Sequence, residues 1–247
     1  MCGIAGALIY DSNIFKPNKL YEAIDSSIDR GHDSYGIIKH NMSGWSDYKS
    51  TTKFTQDNLN SIITDNVSDQ TLIIHTSRAE PTTEWQIDKS ENNIPPFRNE
   101  QYAVAHNGII SNDKELALKF NINRSSSIDT SILPDLFSKI GIWKGINEID
   151  GGSALAIIES RENSLVLCRN FMPLTLVWEP GAVFFASESR FFRNFDQPFS
   201  PFVIWELPPY TCIKLSAKGF KYPIPWGEIP ERDYVNDWMP YPNLIWR

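Results

Sequence analysis

Apolar residues recur along the chain in two different periods. Cys2 to Tyr10 is a nearly unbroken apolar run of mostly small residues, which predicts a strand buried on both faces. Leu20, Ile24 and Ile28 sit four apart and predict a helix over Lys19 to Asp29, with Pro17-Asn18 as its start signal. Arg30 to Ser34 reads as a turn, and Tyr35 to Lys39 returns as a strand. Thr71 to His75 and Tyr102 to Ala105 predict two more strands. Between them Glu80 to Gln101 is polar and holds Pro81, Pro95 and Pro96. That stretch is too long for a hairpin, and loops of such length are often functional. Asn112 to Lys119 predicts a short helix capped by Asn112. Asp129 to Ile140 predicts another, opened by Ser127 or Asp129 and broken at Gly141. Ala154–Glu159, Leu165–Arg169, Leu174–Trp178 and Val183–Ser187 then follow at short spacing, which predicts an antiparallel meander.

Many short strands with two groups of helices suit an α+β chain of two stacked sheets with helices on the outer faces. Pattern alone leaves other α+β arrangements open. Residues 218–247 differ from the rest: they hold Pro223, Pro225, Pro230, Pro240 and Pro242 with Trp226, Trp238 and Trp246. They are expected to form an irregular C-terminal extension to a main unit over 1–217. That extension either covers the domain's own sheet or docks a partner.

Composition narrows the class. Of 247 residues, 41% are hydrophobic and 21% charged, as in ordinary globular proteins. The net charge of −7 and the lack of a Lys/Arg run argue against a nucleic-acid surface. Neither a basic leader nor an apolar run of membrane length is present, so a cytoplasmic protein without a membrane segment is expected. Three scattered cysteines, Cys2, Cys168 and Cys212, fit reduced thiols, the last two as small buried hydrophobes. Four histidines without ligand spacing give no reason to expect a metal or other cofactor.

Cys2 carries the chemistry. With Met1 removed, it would hold a thiol and a free α-amine on one Cα. An α-amine titrates near 7.7–8.0. It can therefore take the thiol proton at neutral pH and leave a thiolate, the nucleophilic form. Read alone, the same residues are equally the start of a buried strand.

Five segments stand in order: Cys2-Gly3-Ile4-Ala5-Gly6, Arg30-Gly31-His32-Asp33-Ser34-Tyr35-Gly36, His75-Thr76-Ser77-Arg78, Ala105-His106-Asn107-Gly108-Ile109-Ile110 and Ser127-Ile128-Asp129-Thr130. Together they resemble the glutaminase domain of class II glutamine amidotransferases. These are N-terminal-nucleophile hydrolases of the kind that serve glucosamine-6-phosphate, phosphoribosylamine and asparagine synthesis. The resemblance covers about residues 2–216. It implies a four-layer αββα sandwich of two antiparallel sheets and hydrolysis of L-glutamine through a thioester on Cys2.

The resemblance also implies roles. Asn107 and Gly108 would donate to the oxyanion, the latter by its backbone N–H, although Asn-Gly is also a common tight turn. Arg78 would clamp the substrate carboxylate bidentately, and Thr76 in the same segment would contact substrate. Asp129 would pair with the α-ammonium, though it is equally a helix cap. Arg30 would orient the cysteine's turn. Neither His32 nor His106 has an evident role. One departure stands out: Arg78 lies three residues after His75, where the family places it two after, and Ala79 replaces an aromatic residue. A one-residue shift turns a strand side chain to the other face, so a bulge or the strand's end is expected here. Glu80 to Thr83 would then form a loop over the substrate. Because Gly-rich phosphate loops are lacking, a separate ammonia-accepting synthase subunit is expected. The alternatives are a catalytically silent glutamine-sensing or scaffold subunit of the same fold, and a hydrolase of another γ-glutamyl amide.

Overall fold

Strand β1 (Gly3–Ile9) is buried along its whole length, as a run without a polar face requires. In the computed structural model, which describes residues 2–79, 90–195 and 203–226, β1 lies inside a seven-stranded sheet. Its neighbours are β4 (Thr71–Arg78) and β10 (Ala182–Ala186), both antiparallel. The sheet continues through β2 (Ser34–Asn41) to the edge strand β3 (Gly44–Ser50) on one side. On the other it runs through β9 (Thr175–Glu179) to β11 (Val203–Glu206). A second sheet of six strands runs in the order β13 (Gly219–Pro225), β12 (Thr211–Ser216), β8 (Ser164–Arg169), β7 (Ser153–Glu159), β6 (Tyr102–Gly108) and β5 (Phe97–Arg98). All recorded pairings in both sheets are antiparallel.

Alternation along each strand builds the layers. Ile4, Leu8, Ile38, Leu72 and Ile74 of the first sheet meet Ala103, Ala105, Ala154, Ala156 and Leu167 of the second in one core. The opposite parity, Ala5, Ala7, Ile37 and Ile73, packs against α1 (Pro17–Ser27) and α2 (Gln56–Thr64). Val104, Leu155, Ile157 and Val166 pack against α3 (Asp113–Lys119), α4 (Leu133–Ile140) and α5 (Ile142–Asn147). The result is the expected four-layer αββα sandwich.

Several expectations need correction. The stretch from 154 to 187 is two hairpins rather than one meander. β7 and β8 pair in the second sheet, and the chain then crosses to pair β9 with β10 in the first. The helix expected over 129–140 begins as a 3₁₀ turn, Asp129–Ile132, and becomes α-helical only with Pro134 in its first turn. Asn112 precedes α3 but its side chain does not cap it. Its Oδ1 accepts from the Asp150 N–H, and its Nδ2 donates to the Glu148 carbonyl. The extension expected to be irregular from 218 instead starts as β13, paired with β12. Residues 227–247 lie outside the described residues, as do Met1 and 80–89 of the long loop. The described part of that loop holds a 3₁₀ turn at Glu91–Asn93 and the short strand β5.

His75 is wholly buried on β4 and faces the helix layer, in the parity of Ile73. Its Nδ1 donates to the Gly36 carbonyl at 2.8 Å, and burial lowers its pKa from 6.5 to about 4. An unfolded chain takes up this proton near 6.5, the folded chain only near 4. Between those values the unfolded state holds more protons, so stability falls as pH falls. The loss approaches about 3 kcal/mol by pH 4. Urea titrations at pH 7 and pH 4.5 check this: His75→Gln should lose less stability over that interval than the parent, and equal losses would contradict it.

Candidate active site

The parity that builds the inner core also aims the site. On β4, Leu72 and Ile74 face the second sheet, and so therefore do Thr76 and Arg78. Pairing of β4 with β1 and β2 is regular through Ser77 and Arg78, with no register shift. The displaced arginine thus needs no bulge. It ends the strand and turns into the inter-sheet space. Cys2 precedes β1 with the parity of Ile4 and Leu8, opposite the end of β4. From the second sheet, Asn107 follows Ala103 and Ala105 onto the same inner face. The strands β1 and β4 contact β6 across the sandwich.

Cys2 is half-buried and free. Burial raises its thiol pKa, and the Asp129 carboxylate raises it further. A backbone hydrogen bond from Ala79 and the charge of Arg78 oppose this without overcoming it. On balance the surroundings favour the protonated thiol. Arg30 holds the backbone of this residue: its Nε donates to the Cys2 carbonyl at 3.0 Å. Glu188 takes the other arm of the Arg30 guanidinium through Nη1 and is bridged in turn by Arg190. Nothing in the sequence singled out Glu188. Its signal was only its place just after the β10 run, whose next residue, Ser187, accepts from the Ile4 N–H through Oγ at 2.9 Å.

Two of the inward groups left unsatisfied among the described residues are ones the sequence singled out. Asn107 is fully buried, and neither its Nδ2 nor its Oδ1 has a hydrogen-bond partner. The Thr76 hydroxyl is likewise buried and unpartnered. An unsatisfied buried polar group costs about 1–3 kcal/mol, so such groups persist where a ligand or ordered water meets them. Gly108 follows at φ +150°, and a Cβ there would stand 1.8 Å from the Gly152 carbonyl oxygen. Only glycine fits.

Asp129 opens the 3₁₀ turn beside the end of β6. Its Oδ2 accepts from the Ile110 N–H at 2.8 Å. Its Oδ1 accepts from the Thr130 N–H at 2.6 Å and the Thr130 hydroxyl at 3.0 Å. It is the first residue of its turn rather than the cap, which is Ile128, and it ties that turn to the chain just past Asn107-Gly108. Cys2, Arg78 and Asp129 are close enough for their charges to interact.

His32 is exposed and His75 faces away from the cleft. Cys168 and Cys212 are cross-strand partners, both fully buried, and pack toward the helices of the second sheet. Among the described residues no cluster of three His, Cys, Asp or Glu is placed to hold a metal, and no helix is long and apolar enough to cross a membrane. An open groove of about 690 Å³ between β3, α2 and Glu91–Asn92 contains none of the residues singled out from the sequence.

Comparison with known proteins bears on the family and the fold. Residues 82–194 match the family model of the glutamine amidotransferase domain. The chain is 32% identical over 231 residues to a 7-cyano-7-deazaguanine synthase of Saccharolobus solfataricus, covering 88% of this chain and 49% of the relative. It is 34% identical over 234 residues to that of Sulfolobus acidocaldarius, with the same two coverages. The chain thus spans about half the length of these curated relatives. In fold, it resembles the glutamine phosphoribosylpyrophosphate amidotransferase of B. subtilis, with a TM-score of 0.68 at 20% identity. That likeness covers 91% of this chain and 49% of the other. A glutamine aminotransferase class-II domain protein of Silicibacter pomeroyi is similar at a TM-score of 0.56 and 14% identity, over 92% of this chain and 99% of that one. The matching family model, the relatives and the shared sandwich together identify the chain as carrying a glutamine amidotransferase domain of the class II, N-terminal-nucleophile fold.

Proposed function

We propose that this domain hydrolyses L-glutamine to L-glutamate and ammonia, with Cys2 as the nucleophile once Met1 is removed. The observation that supports this reading is the placement of Cys2 and Arg78 on the inner face of one sheet and of the unsatisfied Asn107 amide on the facing inner face of the other, with Asp129 within electrostatic reach of Cys2. The α-amine of Cys2 takes the thiol proton, and Sγ attacks the substrate Cδ. The oxyanion is met by the Asn107 Nδ2 and the Gly108 N–H. The amine returns the proton to the leaving nitrogen, ammonia departs, and a γ-glutamyl thioester remains. Water then loses a proton to the same amine and attacks the thioester, which frees glutamate and restores the thiol. The raised thiol pKa supports this need for an adjacent base.

Arg78 clamps the substrate carboxylate, Thr76 lies beside it, and Asp129 takes the ammonium. Reading both ends of a free amino acid rejects glutamine inside a peptide. Arg30 positions the nucleophile through the Cys2 carbonyl. A silent glutamine-sensing subunit drew its support from the displaced arginine. The regular register that turns Arg78 inward weakens that alternative.

Ammonia protonates at neutral pH and ceases to be a nucleophile, so its consumer must be near. Relatives about twice as long carry the name of a synthase whose product holds a cyano nitrogen. We place the acceptor in a synthase of that general kind, on a partner subunit or a further domain, working in the cytoplasm without a metal or cofactor in this domain.

Ammonia release and glutamine binding, assayed together, test the roles. Cys2→Ala should reduce turnover to background while glutamine binding stays measurable; turnover surviving the change eliminates the mechanism. Asn107→Ala should lower kcat roughly a hundred- to thousand-fold. Arg78→Lys should raise KM by on the order of tenfold and change kcat far less, since a lysine cannot grip a carboxylate in two places. An unchanged KM would remove Arg78 from the substrate.

A further inference from the structure

The buried groups behind the site form a chain whose hydrogens can be assigned. His106 has the opposite parity to Asn107 and points toward the helix layer. Its Nδ1 lies 2.9 Å from the Thr130 hydroxyl, and its Nε2 lies 3.2 Å from the Ser153 hydroxyl. The Thr130 hydroxyl is also 3.0 Å from Asp129 Oδ1. An ionised carboxylate only accepts, so the single hydroxyl hydrogen of Thr130 goes to Asp129. Thr130 Oγ1 must then accept from His106, which puts the hydrogen on Nδ1. A neutral imidazole has one N–H, so Nε2 is left as an acceptor and Ser153 donates to it. Burial lowers the pKa of the ring, against the charge of Asp129; the Gly152 carbonyl is a second candidate acceptor for the one N–H, and the Thr130 contact with Asp129 decides for Nδ1.

The lone pairs of Asp129 can be followed in the same way. Oδ1 accepts twice, from the Thr130 N–H and hydroxyl, and Oδ2 accepts once, from Ile110 N–H. A carboxylate has about four acceptor sites. Among the described residues one site therefore remains, on Oδ2. Gly108 is part of the same construction, since a Cβ there would also stand 2.8 Å from His106 Nε2.

We infer that His106 is a positioning residue for amino-acid recognition: through the Thr130 hydroxyl, the ring as its Nδ1–H tautomer fixes the Asp129 carboxylate with one Oδ2 lone pair left for the substrate ammonium. This rests on the reading of Asp129 as the ammonium's partner. The three residues His106-Asn107-Gly108 then divide the work between them. The histidine aligns Asp129, the asparagine faces the cleft, and the glycine leaves room for both.

The test uses the full chain. Long-range nitrogen NMR of histidine-labelled protein, with the His106 signals assigned by their loss in His106→Gln, should report Nδ1–H at pH 7. A ring protonated on Nε2, or charged, overturns the inference whatever the activity. Thr130→Val keeps the shape but removes the hydroxyl. It should raise KM for glutamine about tenfold with kcat within about threefold, and Thr130→Ser should restore KM. KM unmoved by valine, or lost equally in valine and serine, overturns it. A chain that binds no glutamine yet shows Nδ1–H sinks the functional reading and Asp129's part in it, while the direction of the hydrogen bonds stands.

Discussion

The site depends on β1 being at once the first strand of the chain and an interior strand of its sheet. Interior strands have no freedom at their ends, so the residue before β1 is delivered to a fixed place. Close approach enforces this: a Cβ on Gly3 would stand 2.2 Å from the Ser27 carbonyl oxygen, and one on Gly6 would stand 2.1 Å from that of Ile73. Ser187 and Arg30 then hold the Ile4 amide and the Cys2 carbonyl. A side chain at the tip of such a strand is aimed by the whole sheet, which is the kind of rigidity a reactive group needs.

Around that tip several polar groups are tied together, as in the run from Ser153 through His106 and Thr130 to Asp129, or the Glu188 carboxylate between Arg30 and Arg190, although Arg30 Nη2 and His75 Nε2 have no hydrogen-bond partner among the described residues. The Asn107 amide and the Thr76 hydroxyl, which face the cleft, have none there either. Strand alternation separates two of these groups: His106 and Asn107 are neighbours in sequence, yet one belongs to the framework and the other to the cleft.

Much of this was legible in the sequence because one period or the other was strong there. β1 is a continuous apolar run, β4 carries Leu72-Ile73-Ile74, and α1 shows its four-residue spacing at Leu20 and Ile24. What escaped had weak patterning for a physical reason. β3 is an edge strand of GWSDYKS, half polar because only part of it meets the core. α2 is short and buries only Leu59, Ile62 and Ile63, although its Thr55 cap was there to be seen. β13 carries Pro223 and Pro225, which suggest irregular chain but are tolerated at the edge it occupies. The ion pair that buries Lys19 against Glu179 joins residues 160 apart and leaves no local trace. At the proposed site, residue types and order singled out Cys2, Arg78, Asn107 and Asp129. The face on which Arg78 lies was decided only by the register of β4 against β1 and β2. The partners of Glu188 and His106 are distant in sequence, and no local pattern announced those contacts.

The central claim is that the sulfur of Cys2 and a free nitrogen on the same Cα act together in a glutamine-shaped cleft. Mass spectrometry of the purified chain after treatment with a diazoketone analogue of glutamine tests it most directly. The account predicts that Met1 is absent and that a single adduct sits on Cys2, suppressed by excess L-glutamine. Met1 retained with Cys2 unlabelled, or an adduct indifferent to glutamine, would contradict it.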